Sequence, residues 1–75
     1  MLKVIGRYNE RKYEIEVGGE VVYTAGNSPY DSQVYTERGV GLDTMRRYCE
    51  QTAKDIAKER KAKFLGCEYM EADNG

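Results

Sequence analysis

The sequence predicts an α+β fold in which a three-stranded antiparallel β-meander packs on one long C-terminal α-helix. Apolar and polar residues alternate along residues 11–17, as in a strand that buries one face. The pair Gly18-Gly19 comes next and suits the turns that close two-residue hairpins. Between residues 43 and 65 the apolar spacing becomes that of an amphipathic helix. The predicted order is therefore β-β-β-α, with a short fourth strand after the helix as an open alternative.

The register of the meander can be predicted from its turns and its apolar pattern. Three strands are predicted, at residues 2–8, 11–17 and 20–25. If each turn contains two residues, Val4 faces Ile15 across the first turn and Ile15 faces Val22 across the second. The same pairing sets Lys3 opposite Glu16, a favourable pair of opposite charges. This register collects most aliphatic side chains on one face, which we expect the helix to cover.

The second face of the predicted sheet has no helix to cover it. This face combines Ile5, Val21 and Tyr23 with charged side chains. A half-apolar surface of this kind is typical of a site covered by a partner, by a second copy, or by the chain's own loop. The sequence leaves these alternatives open.

The connection at residues 26–41 is long for so small a chain and is rich in turn-forming residues. Such connections are often functional or mobile. The chain contains seven tyrosines and one phenylalanine, and tyrosine is enriched at protein interfaces. Three loop residues and one strand residue are therefore the predicted partner-binding set: Tyr23, Tyr30, Val34 and Tyr35.

The helix is predicted over residues 43–65, with one apolar stripe. The stripe comprises Met45, Cys49, Thr52, Ala53, Ile56 and Ala57. Asp43 or Thr44 is predicted to cap its N-terminus, because both side chains can accept a bond from a free amide. This stripe is expected to lie on the aliphatic face of the sheet.

The C-terminal end of the helix has two interpretations. In the favoured one the helix continues to residue 65, Gly66 supplies the left-handed residue after it, and residues 67–70 form a short extended piece. In the alternative the helix ends near Ala62 and residues 64–70 form a fourth strand, since apolar residues alternate there. Residues 71–75 are expected to be a frayed tail.

Length and composition limit the architecture and the class of protein. A chain of 75 residues has room for one domain with a thin core. Its net charge is −1, with both signs interspersed, which favours a globular domain over a disordered one. No apolar run is long enough to span a membrane, and no signal peptide is recognised. We therefore predict a cytoplasmic protein without membrane contact.

The inventory of reactive side chains is small. The chain has no histidine and two cysteines, Cys49 and Cys67, which we expect to be free thiols in the cytoplasm. A zinc site needs four ligands of the nitrogen or sulfur type, so no metal is predicted. No nucleophile and base can be paired either. The sequence thus predicts a protein that is not an enzyme and has no cofactor.

The predicted function is protein–protein interaction, with another protein or with a second copy in a homodimer. The alternative is a nucleic-acid-binding regulator that uses the basic outer face of the helix. That face comprises Arg47, Lys54, Lys58 and Lys61. Lysine and arginine contact phosphates without reading sequence. The interaction role is favoured, because charged outer faces often serve only solubility and the whole chain is slightly acidic.

Overall fold

A computed structural model describes residues 2–27 and 40–71 of the chain. Its elements in chain order are β1 (Lys3–Tyr8), β2 (Lys12–Val17), β3 (Glu20–Gly26), α1 (Leu42–Arg60) and β4 (Lys63–Tyr69). The strands form one sheet in the order β3-β2-β1-β4. Strand β1 runs parallel to β4, and the other neighbouring pairs are antiparallel. The predicted α+β class is confirmed, and the order is a meander, then the helix, then a fourth strand.

Helix α1 lies across one face of the sheet and forms the core with it. The buried core residues are Val4, Tyr13, Ile15, Val17, Met45, Cys49, Ala53 and Ala57. The predicted helical stripe supplies the last four of them, and Ile56 packs at the margin of the core. Within the described residues, α1 contacts β1, β2 and β4 but does not reach β3. The opposite face, which we call the open face, carries no helix in the described residues.

The helix ends five residues earlier than the favoured interpretation predicted. Its last residue is Arg60, and Lys61 comes next in the left-handed conformation with a φ of 55°. Gly66 therefore does not end the helix; it has a φ of 127° at an irregularity within β4. Residues 63–69 instead pair with β1, which gives their backbone groups partners that an isolated helix end lacks. The alternative, a helix ending near Ala62 and then a strand, is correct.

The start of the helix also differs from the prediction. The N-cap is Gly41, and no side chain caps the first turn. The amides of Thr44 and Met45 bond to the Gly41 carbonyl oxygen at 3.1 and 3.0 Å. Asp43 lies within the first turn, where its carboxylate complements the helix dipole without acting as the cap.

The first hairpin is shifted by two residues from the predicted register. Val4 pairs with Val17, and Ile15 pairs with Gly6. Lys3 is therefore not opposite Glu16; its carbonyl oxygen instead accepts a bond from the Gly18 amide at 3.1 Å. A shift of two residues keeps every side chain on its predicted face, since strand side chains alternate with a period of two. The aliphatic face is thus correct although the pairing was wrong.

The buried residue Asn9 accounts for that shift. Its side-chain oxygen accepts bonds from the amides of Arg11 and Lys12 at 2.8 and 3.0 Å. The backbone amide of Asn9 donates to the Lys12 carbonyl oxygen at 2.9 Å. These bonds make a four-residue turn, where two residues were expected, because asparagine side chains readily substitute for backbone groups in turns.

The second hairpin has the predicted glycine turn but contains a bulge. Gly18 and Gly19 both have positive φ. The register slips next to Ile15, which pairs with Tyr23 rather than Val22. A slip of one residue moves the side chains beyond it to the other face of the strand. Tyr23 was predicted on the open face, but it lies on the α1 side, with its ring centroid 6.0 Å from that of Tyr13.

Candidate functional site

Strand β3 carries three exposed apolar side chains in succession at one edge of the sheet. Val21 is 52% exposed, Val22 36% and Tyr23 44%. In the described ranges β2 is the one neighbour of this strand. An edge strand presents a row of backbone N–H and C=O groups that can pair with another strand. Apolar side chains and free backbone groups therefore occur together on β3.

The bulge distributes these side chains over both faces of β3. Val21 pairs with Glu16 and lies on the open face, whereas Tyr23 lies on the α1 side beside Tyr13. Since α1 does not reach β3, neither face is covered by the helix. Glu20 is the strand's one charged residue, and β3 contains none of the lysines or prolines that commonly protect an edge. Within the described residues, the bulge and the charge of Glu20 are the protections of this edge.

Of the four predicted contact residues, Tyr23 alone lies within the described residues. Tyr23 is exposed on β3, and its role as a contact residue stays a prediction. Tyr30, Val34 and Tyr35 lie outside the described residues, so their contribution stays a prediction. The sequence pattern places Val21 on the open face without marking it as a contact residue, and it places Val22 in the core. The bulge leaves Val21 on the open face but exposes Val22, and the periodicity of the sequence does not predict this.

Asn27 holds the two ends of the long connection together. Its side-chain nitrogen donates to the Val40 carbonyl oxygen, and its side-chain oxygen accepts from the Val40 amide, both at 2.9 Å. The same nitrogen also donates to the Glu10 carbonyl oxygen at 2.9 Å. The connection therefore leaves and returns at one point beside the end of β3. The sequence analysis did not predict these hydrogen bonds, although an asparagine next to the end of a strand is a recognisable signal for side-chain bonds to the backbone.

The centre of the open face is occupied by an ion-pair network. Arg7 binds the carboxylate of Glu16, and its Nε lies 2.9 Å from a carboxylate oxygen of Glu68. These bonds, with that to Glu16 the stronger, raise the pKa of Arg7 despite some opposing desolvation. Exposed Leu65 and half-buried Ile5 lie near this network beside Gly66. Because these charges are paired with one another, the centre of the open face offers a partner fewer unpaired groups than β3 does.

The basic residues of the alternative hypothesis do not form a uniformly positive surface. Arg47, Lys54 and Lys58 are exposed on α1, but Lys61 lies beyond its end. Lys54 pairs with Glu50 at 3.0 Å and so lowers the pKa of that carboxyl group. Five basic and four acidic residues occur within α1, a net charge of +1. Nucleic-acid binding remains a prediction. The carboxylates on the same helix count against it, because they reduce the attraction of this face for phosphates.

Neither described segment contains a helix long and apolar enough to cross a lipid bilayer. No protein-family model, curated protein or solved structure matches this chain. The case for a function therefore depends on the geometry of β3 and its surroundings.

Proposed function

We propose that this chain is a non-enzymatic binding protein that takes up another polypeptide strand along the free edge of β3. One observation supports this most: an edge strand with three exposed apolar residues in succession, Val21, Val22 and Tyr23, extends beyond the helix that covers the rest of the sheet. Protein edges of this kind commonly bind extended segments.

Strand addition uses both the backbone groups and the exposed apolar side chains of β3. Backbone hydrogen bonds from the added strand supply affinity, and alternate side chains supply specificity. Val21 offers an apolar contact on the open face, and Tyr23 offers one on the α1 side next to the Tyr13 ring. A tyrosine gives large contact area with few rotatable bonds, so ordering it on binding costs little entropy.

The partner in this proposal is an extended segment of another protein or β3 of a second copy. Residues 21–26 of β3 carry no charge, so two copies can approach without opposing like charges across the new pair. We also propose a cytoplasmic location, whose reducing conditions are consistent with the free thiols of Cys49 and Cys67. No cofactor is part of this role.

A pair of tyrosines provides a matched test. Tyr23 on β3 is 44% exposed and Tyr48 on α1 is 47% exposed, so a photoreactive phenylalanine analogue at either position meets solvent equally well. Each variant is expressed in the native cell and irradiated, and the cross-linked products are identified by mass spectrometry. We expect position 23 to yield one defined product, either a second copy or another protein, and position 48 to yield little.

The control position also tests the nucleic-acid alternative, since Tyr48 lies next to Arg47 on the outer helix. Cross-links from position 48 alone, to protein or to nucleic acid, would contradict the proposal. So would the absence of any product at position 23 when both variants are folded and expressed at equal levels.

A further inference from the structure

The two cysteines meet in the core although they are distant in the sequence. Cys49 on α1 is completely buried, and Cys67 on β4 is half-buried. A methyl group placed on Gly6 would lie 2.6 Å from the sulfur of Cys49 and 2.8 Å from that of Cys67. Both sulfur atoms therefore converge on the space above the Gly6 Cα. The Cys49 thiol also donates a weak bond to the Arg7 carbonyl oxygen at 3.7 Å.

Gly6 makes this approach sterically feasible. It lies in β1, directly paired with Cys67 in the parallel ladder, and faces α1. Any side chain here would occupy the position where the two sulfurs lie, since contacts under 3.0 Å do not occur for real Cβ atoms. The missing side chain of one strand residue thus brings thiols from the helix and from the neighbouring strand together.

We infer that Cys49 and Cys67 form a dithiol site that low-molecular-weight disulfides oxidise to an intramolecular disulfide between α1 and β4. The substrate class is a small disulfide such as oxidised glutathione. This inference concerns the covered half of the sheet and does not depend on the binding role of β3.

The reaction proceeds by two thiol–disulfide exchanges. The Cys67 thiol, the more accessible of the two, loses its proton to solvent, and its sulfur attacks one sulfur of the small disulfide. A mixed disulfide forms and one small thiolate leaves. The Cys49 thiol then loses its proton, and its sulfur attacks the Cys67 sulfur and releases the second small thiolate. Two protein thiols are oxidised by two electrons, and one disulfide is reduced to two thiols.

The surroundings of this pair make its thiol–disulfide exchange slow at neutral pH. Burial raises the pKa of the Cys49 thiol to about 12. Burial also raises the pKa of Cys67, although its interaction with the Cys49 side chain partly opposes this. Thiolates are the attacking species, so little of either cysteine is reactive at neutral pH. Once formed, the disulfide ties the helix to the edge strand and limits the unfolded chain.

The test uses the full chain and oxidised glutathione. After incubation under native conditions, we expect intact mass to fall by about 2 Da, the mass of two hydrogen atoms. The product should be monomeric, should keep the circular dichroism of the reduced protein, and should revert with a reducing agent. Its melting temperature should rise by roughly 10 °C. Cys67→Ala and Cys49→Ala should show no such mass loss, and Cys49→Ala should stop at a glutathione adduct on Cys67.

Three results would overturn the inference. The first is a stable glutathione adduct on Cys67 of the wild-type chain, with no further loss of glutathione. The second is a disulfide that forms only between chains. The third is a mass loss that appears only when a denaturant is present, since the thiols would then meet in the unfolded chain alone.

Discussion

The two edge strands of the sheet have equal length but different surroundings. Each contains seven residues. Strand β4 lies beneath α1, where Phe64 and Cys67 pack against the core. Strand β3 lies beyond the helix, and every residue except Ala25 is exposed. The position of the helix thus decides which edge strand has one face covered and which has neither face covered by α1.

This difference separates the chain's stability from its proposed function. Substitutions beneath α1 should change the free energy of unfolding strongly, whereas those on β3 should change it little and weaken binding instead. Substitutions beneath α1 and on β3 can therefore test this difference between the two edges. The largest change in the free energy of unfolding is expected at Gly6.

Replacing Gly6 by alanine should destabilise the protein by about 2–3 kcal/mol, because the added methyl group overlaps both cysteine sulfurs. Urea unfolding measures the change. Gly41→Ala is the matched control, since a Cβ there meets nothing within 4 Å and φ is −74°; its cost should stay under about 1 kcal/mol. Equal stability of the two variants would show that the core beneath α1 is not closely packed.

Replacing Asn9 by alanine should cost about 1–2 kcal/mol, since the amides of Arg11 and Lys12 lose their shared acceptor. Urea unfolding again provides the measurement. Arg11→Ala, at an exposed position of the same turn, should change stability by less than about 0.5 kcal/mol. If Asn9→Ala behaves like this control, the four-residue turn does not depend on the asparagine side chain.

Alkaline pH should destabilise the wild-type protein through Cys49. Burial raises the pKa of this thiol to about 12, above its unfolded value of roughly 8.5. Folding therefore favours the neutral thiol. The resulting contribution to the free energy of unfolding is complete below about pH 8.5 and is lost as the pH rises towards 12.

Urea unfolding at several pH values should show wild-type stability falling by about 1 kcal/mol per pH unit from roughly pH 9 upward. Cys49→Ala should have a shallower dependence, and the remaining slope reports Cys67 and Tyr13, whose pKa values burial also raises. Parallel curves for the two proteins would mean that Cys49 is solvated in the folded state.

Replacing Val21 by threonine should have the smallest effect on folding, within about 0.5 kcal/mol, because the side chain is 52% exposed on the free edge. The same change should reduce cross-linking through position 23. A loss of stability above about 1 kcal/mol would place Val21 in the core and remove the difference between the two edges.

Short-range periodicity predicted the buried faces correctly. The alternation along residues 11–17 located the buried face of β2, and the helical stripe located the buried face of α1. The alternation along a strand survives a change of register by two residues, which is why the buried face of β2 was right although the first hairpin was shifted.

The errors of prediction arise at contacts that periodicity does not report. The turn at Asn9 is set by side-chain bonds, and the bulge leaves Val22 between the pairs that Ile15 and Glu16 make with Tyr23 and Val21. The parallel pairing of β4 with β1 joins residues about 60 positions apart, and the alternation along residues 64–70 is too short to decide locally between a strand and further helix. The candidate site changed accordingly, since the bulge turned Tyr23 towards Tyr13 and exposed Val22.

Amide hydrogen exchange, monitored by NMR at increasing protein concentration and with the partner found by cross-linking, tests the central claim most directly. We expect amides of Val21–Ala25 to exchange faster than those of β1, β2, α1 and β4 in the free monomer. They should become protected when the partner or a second copy binds. If β3 is as protected as β1 in the dilute monomer, or if binding protects α1 and leaves β3 unchanged, the free edge is not the binding site.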